Sequence, residues 1–385
     1  MKSRRLFVKR CLAGCGAAVL GPEAVREFVL RVTEPGLGMG FRNDATGGLD
    51  RFSRPAAYAR ARGPLVECTL CPHECILGEH DRGFCRTRVV DGGQMKTVAY
   101  GNLCSVAVDP IEKKPLYHFL PRSPILSVAI GGCNLRCLNC QNWEISQARP
   151  HEVLVEEAMP EELVDVAVGR GIPLLAFTYS EPLVFYEYVR DTAALAREKG
   201  LRNVLVTAGY VSPEPLRALC RVIDAVTLDL KAFDEPLFRE ISGGRLGPVL
   251  RGLEILREEG VWIEVSFLMV PTLTDSPQAI GRFARWVARN LGAGTPMHIL
   301  RFHAAHRLRN LPSTPVRAME EAREAALSQG LDHVYLGNVP GHDANHTRCH
   351  RDGRLLIERR GFEVTSYGLE NGRCPCGEKI PGVFE

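Results

Sequence analysis

The chain has 385 residues, of which 45% are hydrophobic and 24% are charged, and its formal net charge is +3. This balance is that of a globular protein long enough for one large core with smaller appendages. Acidic and basic residues are interspersed without a basic stripe, which argues against a nucleic-acid-binding protein. No apolar run approaches the roughly 20 residues that a membrane-spanning helix needs, so we predict no transmembrane span.

The N-terminal segment has features of an export signal. Residues 3–9 are basic with paired arginines, and a weakly apolar stretch follows at residues 11–21. This order is typical of a twin-arginine export signal. Residues 1–60 lack periodic apolar positions and are rich in Gly, Arg and Pro, so we assign them to a signal and linker. The alternative is a basic tail on a protein that stays cytoplasmic.

The cysteines are numerous and grouped. There are fourteen, most of them separated from a neighbour by two or three residues. Such gaps suit chelating thiolates, whereas disulfides across them would close tiny loops and stabilise little. We therefore predict that most of these thiols bind metal, acquired in a reducing compartment.

The first cysteine group lies within residues 61–110, which we assign to a Cys-rich N-terminal module. It consists of Cys68, Cys71, Cys75 and Cys85. Four thiolates at these spacings suit either a closed tetrahedral zinc site or an auxiliary iron–sulfur cluster. Free thiols without metal are the remaining alternative.

From about residue 124, short apolar runs alternate with longer amphipathic segments. The runs of strand type cover residues 125–130, 174–178, 203–207, 225–230, 262–270 and 297–302. The segments between them often start at proline and end at glycine, which predicts helices. Six strand–helix repeats predict an α/β core, an open sheet or an incomplete barrel, over residues 111–338. In either architecture, functional residues belong at the carboxyl ends of the strands.

A second cysteine group follows directly on the first of these strands. Cys133, Cys137 and Cys140 have the spacing Cys-x3-Cys-x2-Cys. Three thiolates can hold three corners of a cubane cluster, whereas an electron-transfer ferredoxin uses four. One iron then has no protein ligand and is open to a small molecule, as at a catalytic metal. A zinc knuckle or buried free thiols are the alternative.

This motif, in this position, resembles that of the radical S-adenosylmethionine (SAM) superfamily. The resemblance implies an α/β partial (β/α)6 radical SAM barrel, here with small Cys-rich modules at both ends. It also implies a 4Fe-4S cluster whose open iron binds SAM. An electron from an external donor then cleaves SAM reductively, and the 5′-deoxyadenosyl radical abstracts hydrogen from a substrate.

Two further strings make the resemblance closer. Residues 108–121 and residues 140–143 are similar to the AmmeMemoRadiSam radical SAM proteins, relatives of pyruvate formate-lyase activating enzyme. The similarity covers roughly residues 64–385. It implies Memo-type and AMMECR-type protein partners, and it leaves the substrate unspecified, a protein or a small molecule.

Three charged residues at strand ends fit the same resemblance. Glu181 follows the second strand, and Asp229 and Lys231 end the fourth. The resemblance implies that Glu181 holds the methionine amino group of SAM, and that Asp229 and Lys231 contact its ribose and carboxylate. The alternatives are a carboxylate at a helix N-terminus for Glu181 and a plain ion pair for the other two.

Two positions depart from the pattern of such enzymes. Asn139 stands where they usually carry an aromatic residue beside adenine, and Ala208 stands where relatives carry Asn. These departures support a second hypothesis, an iron–sulfur binding or electron-transfer protein without SAM chemistry. A third hypothesis is a metal-stapled scaffold that docks the Memo partner.

We assign residues 339–385 to a C-terminal module that also contains cysteines. They are Cys349, Cys374 and Cys376. Relatives carry two Cys-x2-Cys knuckles, but here Asp352 replaces one cysteine and the second knuckle is shortened. Asp352, His350 or His346 can complete a mixed zinc site, because zinc accepts carboxylate and imidazole ligands. An auxiliary cluster or a metal-free remnant is the alternative.

Overall fold

A computed structural model of the chain describes residues 50–385. The predicted export signal falls on residues 1–49 and so lies outside the described residues. None of the helices in the described part combines the length and apolarity needed to cross a bilayer. Arg54–Pro55 and Ala59–Arg62 already form strands, so the predicted linker to residue 60 is too long.

A nine-stranded sheet forms the core. From edge to edge its strands are Val334–Gly337, Met297–Arg301, Trp262–Met269, Ala225–Leu230, Arg202–Thr207, Leu174–Phe177, Pro124–Ile130, Asn102–Pro110 and Glu156–Glu157. The first seven are parallel to one another, and Asn102–Pro110 pairs antiparallel with both neighbours. The predicted α/β fold is confirmed, and all six predicted strands are present. Val334–Gly337 adds a seventh parallel strand.

Helices connect the parallel strands, as the amphipathic segments predict. They span Trp143–Ser146, Pro160–Gly169, Tyr186–Glu198, Pro213–Cys220, Glu235–Ser242, Leu246–Glu258, Pro277–Asn290 and Val316–Leu327. Short 3-10 turns occur at Asp50–Phe52, Ile111–Lys113, Pro182–Phe185 and Asp343–Asn345. Side-chain caps begin some helices: the Asp234 carboxylate accepts a hydrogen bond from the Leu237 N–H at 3.0 Å. The segment 183–199, predicted as one helix, begins instead with a 3-10 turn.

Three small antiparallel sheets flank the core. Two precede it, made of Arg54–Pro55, Gln94–Thr97 and Arg88–Asp91, and of Ala59–Arg62, Leu65–Cys68 and Ile76–Leu77. The third follows it and is made of Thr347–Arg348, Leu355–Arg360 and Glu363–Tyr367. A buried ion pair of 2.9 Å between Arg88 and Glu187 joins the first sheet to the core. The N-terminal cysteines are thereby held against the core.

Residues 111–120 close the amino-terminal end of the barrel, which we call the floor. Ile111, Leu116 and Phe119 pack on inward-facing apolar residues of the parallel strands. The fully buried carboxylate of Glu264 accepts hydrogen bonds from the backbone N–H groups of residues 117 and 118, at 3.0 and 2.8 Å. Part of the string that carries the closer resemblance therefore fills the barrel from below.

Two buried histidines near the floor make stability depend on pH. Burial lowers the pKa of His118 and His333, that of His333 to about 3. Because unfolded histidine titrates near pH 6.5, the unfolded chain binds protons that the folded chain does not as the pH falls below that value. Stability is therefore full above about pH 6.5 and declines below it. His333 alone should lower the unfolding free energy by about 2 kcal/mol at pH 5.

Urea unfolding at pH 7.5 and pH 5 tests this expectation. The His333→Phe variant should lose less stability on acidification than the unsubstituted protein does. His80, whose side chain is exposed, supplies the matched control, and His80→Phe should keep the full pH effect. Equal losses in both variants would show that His333 does not titrate on unfolding.

Candidate active site

The loop after strand Pro124–Ile130 is packed tightly against the N-terminal module. Gly132 has a φ of +119°, and a Cβ atom there would lie 2.8 Å from the carbonyl oxygen of Cys85. Only glycine tolerates both this conformation and this approach. The first two cysteine groups therefore belong to adjoining parts of the molecule.

The same loop is fixed on its other side by backbone hydrogen bonds. The N–H groups of Arg136 and Leu138 donate to the carbonyls of Ser242 and Ile241 at 2.7 and 2.9 Å. The loop thus has little freedom to move, and the side chains that it carries keep their positions.

The structure brings Cys133, Cys137 and Cys140 close enough for their charges to interact. The Leu135 N–H donates to Cys133 Sγ at 3.3 Å. Burial raises the pKa of Cys133, and the Glu181 carboxylate and the other two thiols raise it further. Burial also raises the pKa of Cys137 to about 12. The Cys133 and Cys137 thiols are therefore protonated at neutral pH until a metal displaces their protons.

Glu181 is buried and held by three donors from its own chain. One carboxylate oxygen accepts hydrogen bonds from the Thr207 hydroxyl at 2.5 Å and the Leu183 N–H at 3.2 Å. The other accepts from the Ala208 N–H at 2.9 Å. Burial raises the pKa of Glu181, and these hydrogen bonds partly offset the effect. Since a carboxylate offers about four acceptor positions, one remains for another donor.

These contacts bear on two of the sequence expectations. Glu181 does cap the following 3-10 turn, as the helix-terminus alternative predicts. At Ala208, where the resemblance implies Asn in relatives, the backbone N–H contributes to the site. That contact does not depend on the side chain, so the change from Asn leaves it intact.

Asp229 and Lys231 form an ion pair at the end of strand Ala225–Leu230. The second Asp229 oxygen accepts a hydrogen bond from the Ser266 hydroxyl at 3.1 Å. Burial lowers the pKa of Lys231, but Asp229 and the Cys137 thiol outweigh burial and hold this pKa above its ordinary value. The predicted ion pair is therefore present, and it lies within electrostatic range of the loop thiols.

Sequence reasoning missed a charged group inside the barrel. Asp109 pairs with Lys113 at 2.8 Å and Lys114 at 2.5 Å, and it accepts a hydrogen bond from the Tyr179 hydroxyl. Burial raises the pKa of Asp109, but its three partners hold it below the ordinary range. Tyr179 directly precedes the Ser180-Glu181 pair and has a φ of +64°. The available signal was the four charged residues in the mostly apolar string 108–121, which include Asp109, Lys113 and Lys114.

The four thiols of the N-terminal module also approach one another. Burial raises the pKa of Cys68, of Cys71 to about 12, and of Cys75. The Cys85 thiol raises each of the three further. These thiols lie within electrostatic range of one another, and a metal shared by them stays a prediction.

The C-terminal module brings its donors together most closely. The ligand atoms of Cys349, Asp352, Cys374 and Cys376 all lie within 4.8 Å of one another. The alternatives His350 and His346 are engaged elsewhere. His350 lies 3.6 Å from the Glu378 carboxylate, and Nδ1 of His346 accepts the Arg359 N–H at 3.1 Å.

A cleft of about 840 Å³ lies at the opposite end of the strands. Arg202, Trp262 and Pro381 are among its lining residues, and the lining includes none of the predicted site residues. Its place beneath the floor separates it from the chemistry proposed for the strand ends, so the thiols and charges described above define the candidate site.

Comparison with known proteins decides the family. The Radical SAM superfamily model matches residues 127–287. Uncharacterized protein MJ0808 of Methanocaldococcus jannaschii is 44% identical over 330 residues, which cover 85% of this chain and 98% of that protein. The chain belongs to the radical SAM superfamily. This radical SAM protein is also 28% identical to the pyruvate formate-lyase-activating enzyme of Clostridium pasteurianum, over 45% of the chain and 72% of the relative.

A solved structure is similar as well. A radical SAM methyltransferase from Sphaerobacter thermophilus aligns with a TM-score of 0.44 and 12% identity, over 83% of each chain. The superfamily and the activating-enzyme relatives make this protein a radical SAM enzyme. Membership implies a 4Fe-4S cluster and SAM.

The residues present fit those groups. Three thiols, of which Cys137 is buried and the other two are partly buried, supply the donor type that iron–sulfur clusters use. Beside them, Oδ1 of Asn139 is buried and has no hydrogen-bond partner within residues 50–385. Because buried acceptors are nearly always paired in proteins, this oxygen suits an N–H donor of a bound molecule.

Proposed function

We propose that this protein cleaves SAM reductively and abstracts hydrogen from a substrate not yet identified, as a radical SAM enzyme of the AmmeMemoRadiSam type. The supporting observation is the convergence of the Cys133 loop with Glu181 and the Asp229–Lys231 pair at the carboxyl ends of the strands. In this type of enzyme a reduced 4Fe-4S cluster supplies one electron that splits SAM into methionine and a 5′-deoxyadenosyl radical.

The three thiols of Cys133, Cys137 and Cys140 hold the cluster in this proposal and leave one iron for SAM. The hydrogen bond from the Leu135 N–H stabilises negative charge on Cys133 Sγ. Burial of the loop limits the access of water and oxygen to the cluster.

Glu181 binds the amino group of SAM through its remaining acceptor position. The Thr207 hydroxyl and the Ala208 and Leu183 N–H groups hold the carboxylate in place before the ligand arrives. The Asp229 carboxylate accepts from the ribose, and the Lys231 ammonium pairs with the SAM carboxylate. Asn139 Oδ1 accepts a hydrogen bond from the adenine amino group.

The Glu181→Gln substitution tests this assignment. An amide keeps the size but loses the charge that attracts an ammonium, so the dissociation constant of SAM should rise by about 10- to 100-fold. Equilibrium binding to the reconstituted protein measures it. Glu198→Gln, on an exposed helix end, should bind SAM as the unsubstituted protein does. Unchanged affinity in Glu181→Gln would remove Glu181 from the SAM site.

The nature of the substrate is argued from relatives. Activating enzymes act on partner proteins, and the similarity to a pyruvate formate-lyase-activating enzyme favours a protein substrate here. We add Memo-type and AMMECR-type proteins as partners and an external one-electron donor. The parts of the chain in this proposal are a Cys-rich module at 61–110, a core at 111–338 and a second module at 339–385.

The N-terminal module holds a metal group of its own in this proposal, zinc or an auxiliary cluster on Cys68, Cys71, Cys75 and Cys85. The mutual influence of these thiols supports it. The export signal predicted within residues 1–49 would carry the folded, metal-loaded protein across a membrane.

One assay tests the proposed function. Anaerobically reconstituted full-length protein, given dithionite and SAM, should produce 5′-deoxyadenosine, detected by chromatography and mass spectrometry. A protein that contains the cluster by absorbance yet makes no product would contradict the proposal. That outcome would favour the second candidate, an iron–sulfur electron-transfer protein, which the unusual Asn139 motivates.

A further inference from the structure

We propose that Cys349, Asp352, Cys374 and Cys376 bind one zinc ion that clamps the C-terminal segment onto the floor of the barrel. The site is separate from the proposed active site, and the inference does not rest on the proposed function. All four ligand atoms lie within 4.8 Å of one another, and the three cysteines are free of disulfides.

The spacing of the donors matches a single ion. Sγ of Cys349 lies 3.7 Å from Sγ of Cys376, and Sγ of Cys374 lies 3.8 and 3.9 Å from the Asp352 carboxylate oxygens. Zinc–sulfur bonds of about 2.3 Å in a tetrahedron put two sulfurs about 3.8 Å apart. A disulfide would need about 2 Å. Thiolates of a cubane bind separate irons, so they do not need to approach one another this closely.

The donor types also favour zinc over a cluster. Iron–sulfur clusters are held chiefly by cysteine thiolates, whereas structural zinc sites accept cysteine, histidine and carboxylate ligands. Asp352 is the fourth donor here, and its carboxylate is fixed by the Arg354 N–H at 3.0 Å. The Arg354 guanidinium lies 3.7 Å from the same carboxylate and offsets part of the negative charge of the site.

Two tight turns present the donors. In the first turn the Gly353 N–H donates to the Cys349 carbonyl at 2.9 Å, and in the second the Gly377 N–H donates to the Cys374 carbonyl at 2.8 Å. Both glycines have positive φ, +73° and +89°. This left-handed conformation reverses the backbone so that the two donors of each turn face one point. The Cys376 N–H, 3.5 Å from Cys374 Sγ, adds the kind of backbone contact that supports metal-bound thiolates.

The C-terminal module has only a small apolar core, so it needs a further source of stability. Its buried residues are Cys349, Leu356, Ile357, Leu369, Cys374 and Ile380. Segments shorter than about 70 residues rarely bury enough apolar area to be stable without a metal, a disulfide or packing on a larger domain. Because the cysteines here are free, a zinc ion is the available source of that stability.

The segment just after the site reaches the floor. The Val383 N–H donates to the His118 carbonyl at 2.8 Å, and the Leu120 N–H donates to the Val383 carbonyl at 2.7 Å. Nδ1 of His118 lies 2.6 Å from the Pro381 carbonyl. By holding the second turn, the zinc ion would keep residues 381–383 in register with the floor segment.

Elemental analysis of full-length protein, prepared in zinc- and iron-replete medium, tests the proposal. We compare the unsubstituted protein with Cys374→Ser and with the matched control Cys220→Ser, whose cysteine lies at the end of helix Pro213–Cys220. Cys374→Ser should lose about one zinc per chain, with iron unchanged, and Cys220→Ser should lose none. Because only the difference is used, zinc elsewhere in the chain does not affect the result.

A second variant keeps the test valid if Cys374→Ser does not fold. Asp352 is exposed, so Asp352→Ala leaves the small core intact. Zinc should pass from this variant to a colorimetric chelator at least about tenfold faster, and proteolysis after residue 369 should increase. Any of three results would overturn the proposal. Cys374→Ser could contain as much zinc as the unsubstituted protein, or it could lose iron in place of zinc. The third is a rate of zinc release from Asp352→Ala equal to that of the unsubstituted protein.

Discussion

The Cys137→Ala variant is expected to make no 5′-deoxyadenosine and to contain about four fewer irons per chain than the unsubstituted protein. Cys137 is the buried member of the three-cysteine loop, where its thiol interacts with Cys140 and Lys231. With two thiolates left, two corners of the cubane lack protein ligands, and the cluster cannot be retained. Iron and sulfide analysis and product chromatography measure both effects.

Cys220→Ala is the matched control for this experiment. Its cysteine is similarly buried but lies on helix Pro213–Cys220, apart from the three cysteine groups. Iron content and product yield should equal those of the unsubstituted protein. If Cys137→Ala retained all its iron and its SAM cleavage, the loop would not be the cluster site, and the functional proposal would fail with it.

The Glu264→Gln variant is expected to lose about 3 kcal/mol of unfolding free energy. The Glu264 carboxylate is completely buried and accepts four hydrogen bonds, from two backbone N–H groups of the floor segment, from the Trp262 indole at 3.2 Å and from His298 Nε2 at 2.7 Å. A glutamine has the same shape, but its NH2 group would face donors. At least one buried donor then loses its acceptor, and the floor segment loosens.

Anaerobic urea titration, followed by circular dichroism, measures this loss. Glu324→Gln is the control, because Glu324 is highly exposed on helix Val316–Leu327. It should change the unfolding free energy by less than about 0.5 kcal/mol. A Glu264→Gln variant as stable as this control would mean that the floor is held by apolar packing alone.

Hydrophobic periodicity predicted the core well because the core strands are buried on both faces. Strand Ala225–Leu230 has the predicted bounds, since its apolar run is flanked by turn residues. The antiparallel strand Asn102–Pro110 was not predicted, because a cysteine interrupts its apolar residues and its partner lies later in the chain. Strand Val334–Gly337, which follows the polar pair Asp332 and His333 directly, was not predicted either.

The site was predictable only in part, because the sequence shows which residues end a strand but not which side chains of neighbouring strands they contact. Glu181 and Asp229 could be predicted as site residues because they lie at strand ends, and parallel strands bring their carboxyl ends together. The partners that hold these carboxylates, Thr207 and Ser266, come from neighbouring strands and are known only from the fold. Likewise, spacing left His350 or His346 open as alternatives to Asp352, and the structure brings the Asp352 carboxylate within 4.8 Å of the three thiols.

The floor segment limits the routes by which ligands enter and leave the enzyme. Because residues 111–120 pack on the amino-terminal ends of the strands in the described part of the chain, a ligand does not reach the carboxyl ends from below and comes from the opposite rim or from the open side of the sheet. A large protein bound across that rim would confine whatever small molecules had already entered. Turnover on such a substrate would therefore require the partner to depart before spent nucleoside and methionine could be exchanged for a fresh molecule.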